Sequence, residues 1–324
     1  MAPVNRDVPE LAAPLQAAID AFKDWNTQQL LAEQKETAID VPLYHYTDLN
    51  GLRGILQSGR FWFTDYRHLN DPSEIQHGIG MAREIAQGLA DTADGRVRLF
   101  LENFIDLFRL DNFDMALRFF IACLSRARDD LGQWRAYADN GHGVAIGLSP
   151  QLFSVIDQPL PGQLPEFVGP VRYLDGDARP RHHLPLERAA AIFLATADAN
   201  RELLSDKAVG IPFIDQFARE IIASPMIWNC LTTKHPGYAH EQEIRLVIMG
   251  TPARLSSHIA TRRRGPQDVF YIAHALPLRD PDQIVEIVIG PAASASEEQA
   301  VRAVLHEVGL DGVALNRSSI PYRG

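Results

Sequence analysis

Tyr238-Ala239-His240-Glu241-Gln242-Glu243-Ile244-Arg245-Leu246-Val247-Ile248-Met249 is the stretch whose reading decides the fold. Its second half is a run of core residues, and side chains in a strand alternate between faces. As a strand it puts Ile244, Leu246 and Ile248 on one face and Glu241, Glu243 and Arg245 on the other. Two acids and a guanidinium in a row have two readings. One is a solvated face carrying a Glu–Arg pair; the other is the wall of a catalytic or ligand-binding site.

Working outward, Pro212 to Asn229 upstream reads as a helix, with Ile214, Phe217, Ile221 and Ile222 on one side. Downstream, Val269 to Leu276 and Ile284 to Ile289 read as strands, and Gly290-Pro291 stops the second. Glu297 to Val308 reads as the last helix and Gly312 to Asn316 as a short final strand. Further upstream, Phe167 to Leu174 reads as a strand, Asp175 to Pro185 as a polar, proline-containing loop, and Leu186 to Leu204 as a helix. His182-His183 in that loop has no partner at metal-ligand spacing, so a solvated loop is the reading.

Arg118 to Ser125 reads as a central strand, Asp129 to Ala138 as a short helix, Asn140-Gly141-His142-Gly143 as a turn and Val144 to Leu148 as a strand. These glycines precede a strand, whereas a dinucleotide-binding loop follows one and opens a helix. Near the start, Val41 to Thr47 reads as a strand. Leu49 to Gln57 reads as a helix capped by Asp48 or Asn50 and ended by Ser58-Gly59. Arg60 to Thr64 is an aromatic strand. Asn70-Asp71-Pro72-Ser73-Glu74 predicts a capped helix running to Leu89, and Val97 to Leu110 is a second amphipathic helix. Residues 1–40 read as an N-terminal helical extension, in which Leu11, Leu15, Ala18, Ile19 and Phe22 recur at near-helical spacing. Packing on the body, rather than contact with a partner, is its expected use.

The expected architecture is therefore α+β: one domain over 41–324, with a central sheet and helical insertions. The 324 residues are 46% hydrophobic and 22% charged, a composition that buries a sizeable core. The formal charge, 31 − 41 = −10, argues against general binding to a phosphate backbone. Arg262-Arg263-Arg264, read as a loop, remains a local basic candidate. Cys123 and Cys230 match no metal or redox spacing and read as buried free thiols. The N-terminus shows no secretory apolar region, and no run approaches the roughly 20 apolar residues of a membrane span. A cytoplasmic protein without a membrane partner is the expectation.

No Walker A loop, His-Glu-x-x-His helix or Gly-x-Ser-x-Gly elbow is present, and no metal is expected. What remains is a constellation: His45, Tyr46 and Thr47 on the first strand, Ser125 ending another, Trp134 and Tyr137 on one helical face, and Glu241, Glu243 and Arg245. It suits a nucleotide site, with aromatics for a base, a histidine and a hydroxyl for ribose, and a carboxylate for developing positive charge. Arg323 is a candidate either for phosphate or for pairing with Glu241 or Glu243.

The ordered series Leu43-Tyr44-His45-Tyr46-Thr47, Gly54-Ile55-Leu56-Gln57-Ser58-Gly59-Arg60-Phe61-Trp62-Phe63, Asn70-Asp71-Pro72-Ser73-Glu74, Gln133-Trp134-Arg135-Ala136-Tyr137 and His240-Glu241-Gln242-Glu243-Ile244-Arg245 resembles a bacterial domain-of-unknown-function family, number 2971. That resemblance runs from about Val41 to Arg323 and carries no activity with it. More loosely, a His-bearing strand followed by a helix, a Ser-Gly turn and an aromatic strand is similar to the opening of ADP-ribosyltransferases. A late Glu-x-Glu strand is similar to their catalytic strand. This second resemblance implies a split sheet that binds NAD. His45 would hold the ribose or adenosine, and Tyr137 or Trp134 would line the nicotinamide pocket. Glu243 would stabilise the oxocarbenium-like transition state and Glu241 would orient the acceptor, a protein or a nucleic acid. The implied function is an NAD-dependent ADP-ribosyltransferase or NAD glycohydrolase in bacterial conflict or phage defence. The alternative is a non-catalytic nucleotide-binding or protein-interaction module of the same fold.

Overall fold

The computed structural model describes residues 10–69, 74–112, 117–154, 164, 166–173, 175–280 and 282–322. Asp71 and its neighbours 70–73, expected to cap a helix, and Arg323 lie outside these residues. The fold is α+β, and the chain divides into two compact units.

The first unit gathers the sheet: Thr37–Pro72, Asp114–Tyr173 and His235–Gly324. Its strands are β1 (Leu43–Thr47), β2 (Arg60–Asp65), β3 (Arg118–Ser125), β4 (Val144–Leu148), β5 (Glu166–Pro170), β6 (Glu243–Gly250), β7 (Ile259–Arg264), β8 (Gln267–Ala275), β9 (Ile284–Ile289) and β10 (Ala314–Arg317). They form one mixed sheet of ten strands, in which β9 and β10 are parallel and the other pairings antiparallel.

The pairing at β3 gives the sheet its shape. β6 pairs with β3 along its whole length, from Arg118↔Gly250 to Ser125↔Glu243. A strand has two edges, so β1 and β2 share the other. β2 holds it at Phe120 and Ile121, and β1 only at Ser125. Between those points neither β1 nor β2 pairs with β3, and the sheet forks.

Local chemistry explains the elements beside the fork. The helix Leu49–Ser58 starts where Asp48 accepts the Gly51 N–H at 2.6 Å, and ends at Gly59, whose φ of 65° is open to glycine at little cost. At Gly143 a Cβ would collide with the Thr47 carbonyl oxygen, so the turn into β4 can press against β1 only with glycine there. Leu43, Phe61, Phe63, Phe120, Ile146, Ile244, Leu246 and Ile287 fill the core on one face of the sheet.

The second unit is helical: Met1–Glu36, Ser73–Phe113 and Leu174–Lys234. Phe22 of the helix Ala13–Glu36 meets Phe217 edge-on, with ring centroids 5.7 Å apart, and Phe100 stacks on Phe193 at 4.5 Å. Arg181 links Glu33, at 2.9 Å, to the Thr232 hydroxyl at 3.1 Å.

Two sequence expectations are corrected. Asp175 to Pro185 is not a loop but the first turns of a helix, Asp175–Ala199, despite Pro180 and Pro185. Ala178, His182, Leu186, Ala189, Phe193 and Ala197 are buried at helical spacing, and that stripe outweighs the two lost N–H groups. His182 is thus fully buried rather than solvated, and burial pushes its pKa down to about 3. Arg262-Arg263-Arg264 is not a loop either; it is the end of β7, at one edge of the sheet.

Candidate functional site

The β6 register sets the site. Glu243 stands opposite Ser125 and Arg245 opposite Cys123, while Ile244, Leu246 and Ile248 point into the core with Phe120, Ala122 and Leu124. Tyr44 of β1 also stands opposite Ser125. Paired residues share a face, so Tyr44, Tyr46, Ser125, Glu243 and Arg245 line one side of the sheet. His45 and Thr47 lie on the other.

Glu241 does not belong to the strand. Pro236–Glu241 is a 3₁₀ turn, and Gln242 then takes a left-handed conformation with φ 44° before β6 begins at Glu243. The expected alternation from Glu241 through Arg245 is broken at that one residue. The turn nevertheless returns Glu241 to the same neighbourhood. The Ser125 hydroxyl donates to the Glu241 carbonyl at 2.6 Å, and the Arg126 N–H to that of Gln242 at 3.0 Å. The Tyr137 hydroxyl donates to the Glu241 carboxylate at 3.2 Å.

Both carboxylates are buried: Glu241 is 6% exposed, Glu243 5%, and Arg245 only 1%. Arg245 grips Glu243 with two bonds, Nε to Oε1 at 2.8 Å and Nη2 to Oε2 at 3.2 Å. A forked guanidinium–carboxylate pair of this kind keeps both groups charged away from water. The Glu243 N–H donates to the Tyr173 hydroxyl at 2.7 Å.

The aromatics take different positions. Trp134 is wholly buried; its indole N–H donates to Asp129 at 2.7 Å and its ring meets Tyr46 edge-on at 4.8 Å. It braces the face and has no surface open to a ligand. The Tyr46 hydroxyl donates to the Ala127 carbonyl at 2.8 Å, and burial raises the phenol's pKa. Tyr137, half-buried, is the aromatic that reaches an acidic side chain.

His45 sits in the fork. Its Nδ1 lies 3.2 Å from the Cys123 carbonyl, at the stretch of β3 that neither β1 nor β2 pairs, and its ring meets Phe61 edge-on at 4.9 Å. Burial lowers its pKa below 6.5, which favours the neutral ring. A carbonyl partner needs the proton on Nδ1, so Nε2 carries the lone pair.

Two acids of this face, Glu286 and Asp129, went unnoticed in the sequence. The Glu286 carboxylate, on β9, receives Tyr44 at 2.9 Å, Arg128 at 2.7 Å twice and Asn316 at 2.7 Å. A lone acid in Ile284-Val285-Glu286-Ile287-Val288-Ile289 was the signal. Asp129 receives the Trp134 indole, the Ser318 hydroxyl at 2.6 Å and the Ser319 N–H at 2.8 Å, which ties down the segment after β10. On the core side a buried Glu166–His274 pair was also missed; burial lifts Glu166 to about 7 and lowers His274 to about 4. Among the described residues no cluster of three or more His, Cys, Asp and Glu is placed to hold a metal ion. No helix among them is long and apolar enough to cross a membrane.

Residues 133–246 match the family model described as a protein of unknown function, DUF2971. The matched stretch holds Trp134, Tyr137, Glu241, Glu243 and Arg245, and it supports that family resemblance; His45 and Ser125 lie before it. No curated protein and no solved structure matches the chain.

Proposed function

We propose that the face around the start of β6 is a nucleotide site, and that the chemistry it serves is cleavage of the nicotinamide–ribose bond of NAD, with ADP-ribose passing to an acceptor or to water. The observation that carries this reading is the pair of buried carboxylates, Glu241 and Glu243, beside a sheet that forks at β3. As nicotinamide leaves, positive charge develops on the ribose. A carboxylate already fixed by Tyr137 or Arg245 meets that charge without reorganising, which lowers the barrier. His45, neutral in the fork, presents Nε2 as an acceptor for a ribose hydroxyl.

A second reading has its own observation. Arg245 already engages both oxygens of Glu243, and a carboxylate so paired has less charge to offer a transition state. His45 and Glu243 also face opposite sides of the sheet. Both facts favour a site that binds a nucleotide without turning it over.

Incubation with NAD and detection of free nicotinamide separates the two. Release is expected, and Glu241→Gln or Glu243→Gln should lower its rate by about 10²–10³-fold, the typical loss for one preorganised electrostatic group. Thermal stabilisation by NAD without release would select the binding reading. Neither release nor stabilisation would remove both.

A further inference from the structure

β7 is Ile259-Ala260-Thr261-Arg262-Arg263-Arg264, a strand at one edge of the sheet with three arginines and no acid. Its neighbour is β8, and β8's other neighbour is β2. Strand registry decides which side chains meet. Trp62 stands opposite Ala273, Tyr271 is opposite both Thr64 and Ala260, and Arg262 is opposite Val269. Arg60, Trp62, Tyr271, Arg262 and Arg264 therefore share the face away from Phe61, Phe63 and Ile272, which point into the core.

On that face an exposed ring, Trp62, lies beside a half-buried one, Tyr271. Trp62 is 45% exposed, and its ring lies 4.6 Å from that of Tyr271 at an angle of 37°. The Arg262 guanidinium sits 4.9 Å from the Trp62 ring and 6.0 Å from that of Tyr271. The small Ala273 beside Trp62 leaves the ring room. The acids nearby are otherwise engaged. Asp65 is buried and paired with Arg67 and Arg118, and Asp268 stands opposite Arg263, on the other side of the strand. Arg262 Nε is buried without a hydrogen-bond partner among the described residues, and no carboxylate among them forms an ion pair with Arg262. Burial and the adjacent Arg264 both act against its charge. An anion docking here would relieve both.

We propose that the outer face of β2, β8 and β7 binds single-stranded nucleic acid, with bases stacking on Trp62 and Tyr271 and phosphates pairing with Arg60, Arg262 and Arg264. Exposed aromatics interleaved with arginines are the elements of a single-strand platform, because every base offers a flat ring whatever its sequence. A duplex hides those rings and would leave Trp62 without a partner. An acidic protein would satisfy the arginines but has no comparable use for the paired Trp62–Tyr271 rings. The overall charge of −10 repels nucleic acid elsewhere, which confines binding to this patch. Its residues lie on the same side of the sheet as Glu243 and Arg245, but on β2, β7 and β8, and none of them is among the groups of the NAD reading, so the proposal does not depend on that reading.

The test is fluorescence anisotropy of labelled oligo-dT and oligo-U of about 20 nucleotides, titrated with the full chain at low salt. Binding is expected, with quenched tryptophan emission. The logarithm of affinity should fall against that of salt with a slope of about −2, as three phosphate contacts imply for a single strand. Trp62→Ala and Arg262→Ala should each weaken binding about tenfold or more, and Trp62→Phe should restore most of the stacking. Trp62 is exposed and Arg262 half-buried, and unchanged circular dichroism confirms the fold of each variant. Absence of binding, or equal binding by Trp62→Ala, overturns the proposal. So does equal affinity for a duplex or for polyglutamate.

Discussion

At the scale of single residues, the Glu243–Arg245 pair makes the sharpest claim. Both partners are buried, and each satisfies the other through two bonds. Removing one partner strands a charge in a poor solvent for it, whereas removing both removes the need for either. Arg245→Leu should therefore destabilise the protein by about 3–5 kcal/mol in urea denaturation. The double variant Glu243→Leu/Arg245→Leu should recover a large part of that loss. If the double variant were as unstable as the sum of the singles, the pair would not be acting as a unit. Arg245 is also where the reading of the sequence was strongest: alternation from Glu243 onward placed acid and guanidinium together on one face, and they meet there. Glu286 and Asp129 were not readable in the same way. Their partners, Arg128 and Asn316 for one and Ser318 and Ser319 for the other, come from distant segments, and only the folded sheet brings them together.

At the scale of elements, the boundary between the 3₁₀ turn and β6 rests on Gln242. Its φ of 44° is a conformation that costs an L-residue roughly 1–2 kcal/mol and a β-branched one more. Gln242→Gly should leave the melting temperature unchanged or raise it, whereas Gln242→Val should lower it and disturb the Tyr137–Glu241 contact. The reverse order of melting temperatures would mean that the turn is held by something other than backbone conformation. Glutamine gives no warning of a left-handed residue, and so Glu241 was read as part of the strand. The same kind of blindness hid β7. Thr261-Arg262-Arg263-Arg264 carries the charges of a solvated loop, and only pairing with β8 makes it a strand. The helix Asp175–Ala199 was obscured by its prolines, although its buried stripe at helical spacing was in plain view. The elements that were legible signalled themselves locally. The helix Leu49–Ser58 has its Asp48 cap and Gly59 stop, and β3, β4 and β9 are runs of core residues.

At the scale of the whole molecule, the helical unit is assembled from three separate segments, each interrupted by sheet-forming sequence. Its aromatic cluster takes Phe22 from the first, Phe100 from the second and Phe193 and Phe217 from the third. A chain beginning at residue 37 loses Leu15, Ile19 and Phe22, all nearly or fully buried, and bares the Phe217 ring. Such a chain should lose hydrogen-exchange protection across the remaining helical segments, since burying one large apolar side chain contributes about 1.5–3 kcal/mol. Unaltered protection would mean that the N-terminal helix adds little to that unit. The sheet has a comparable dependence on distant segments, and it bears on how the protein is made. β1 pairs with β4, β4 with β9 and β9 with β10, so the row beside the fork cannot close until the strands furthest along the chain have left the ribosome. Until then β4 has a bare edge next to a nascent chain still being extended. Slow synthesis between Leu148 and Ile284 would lengthen that exposure, and the order of translation thereby becomes a condition of correct assembly.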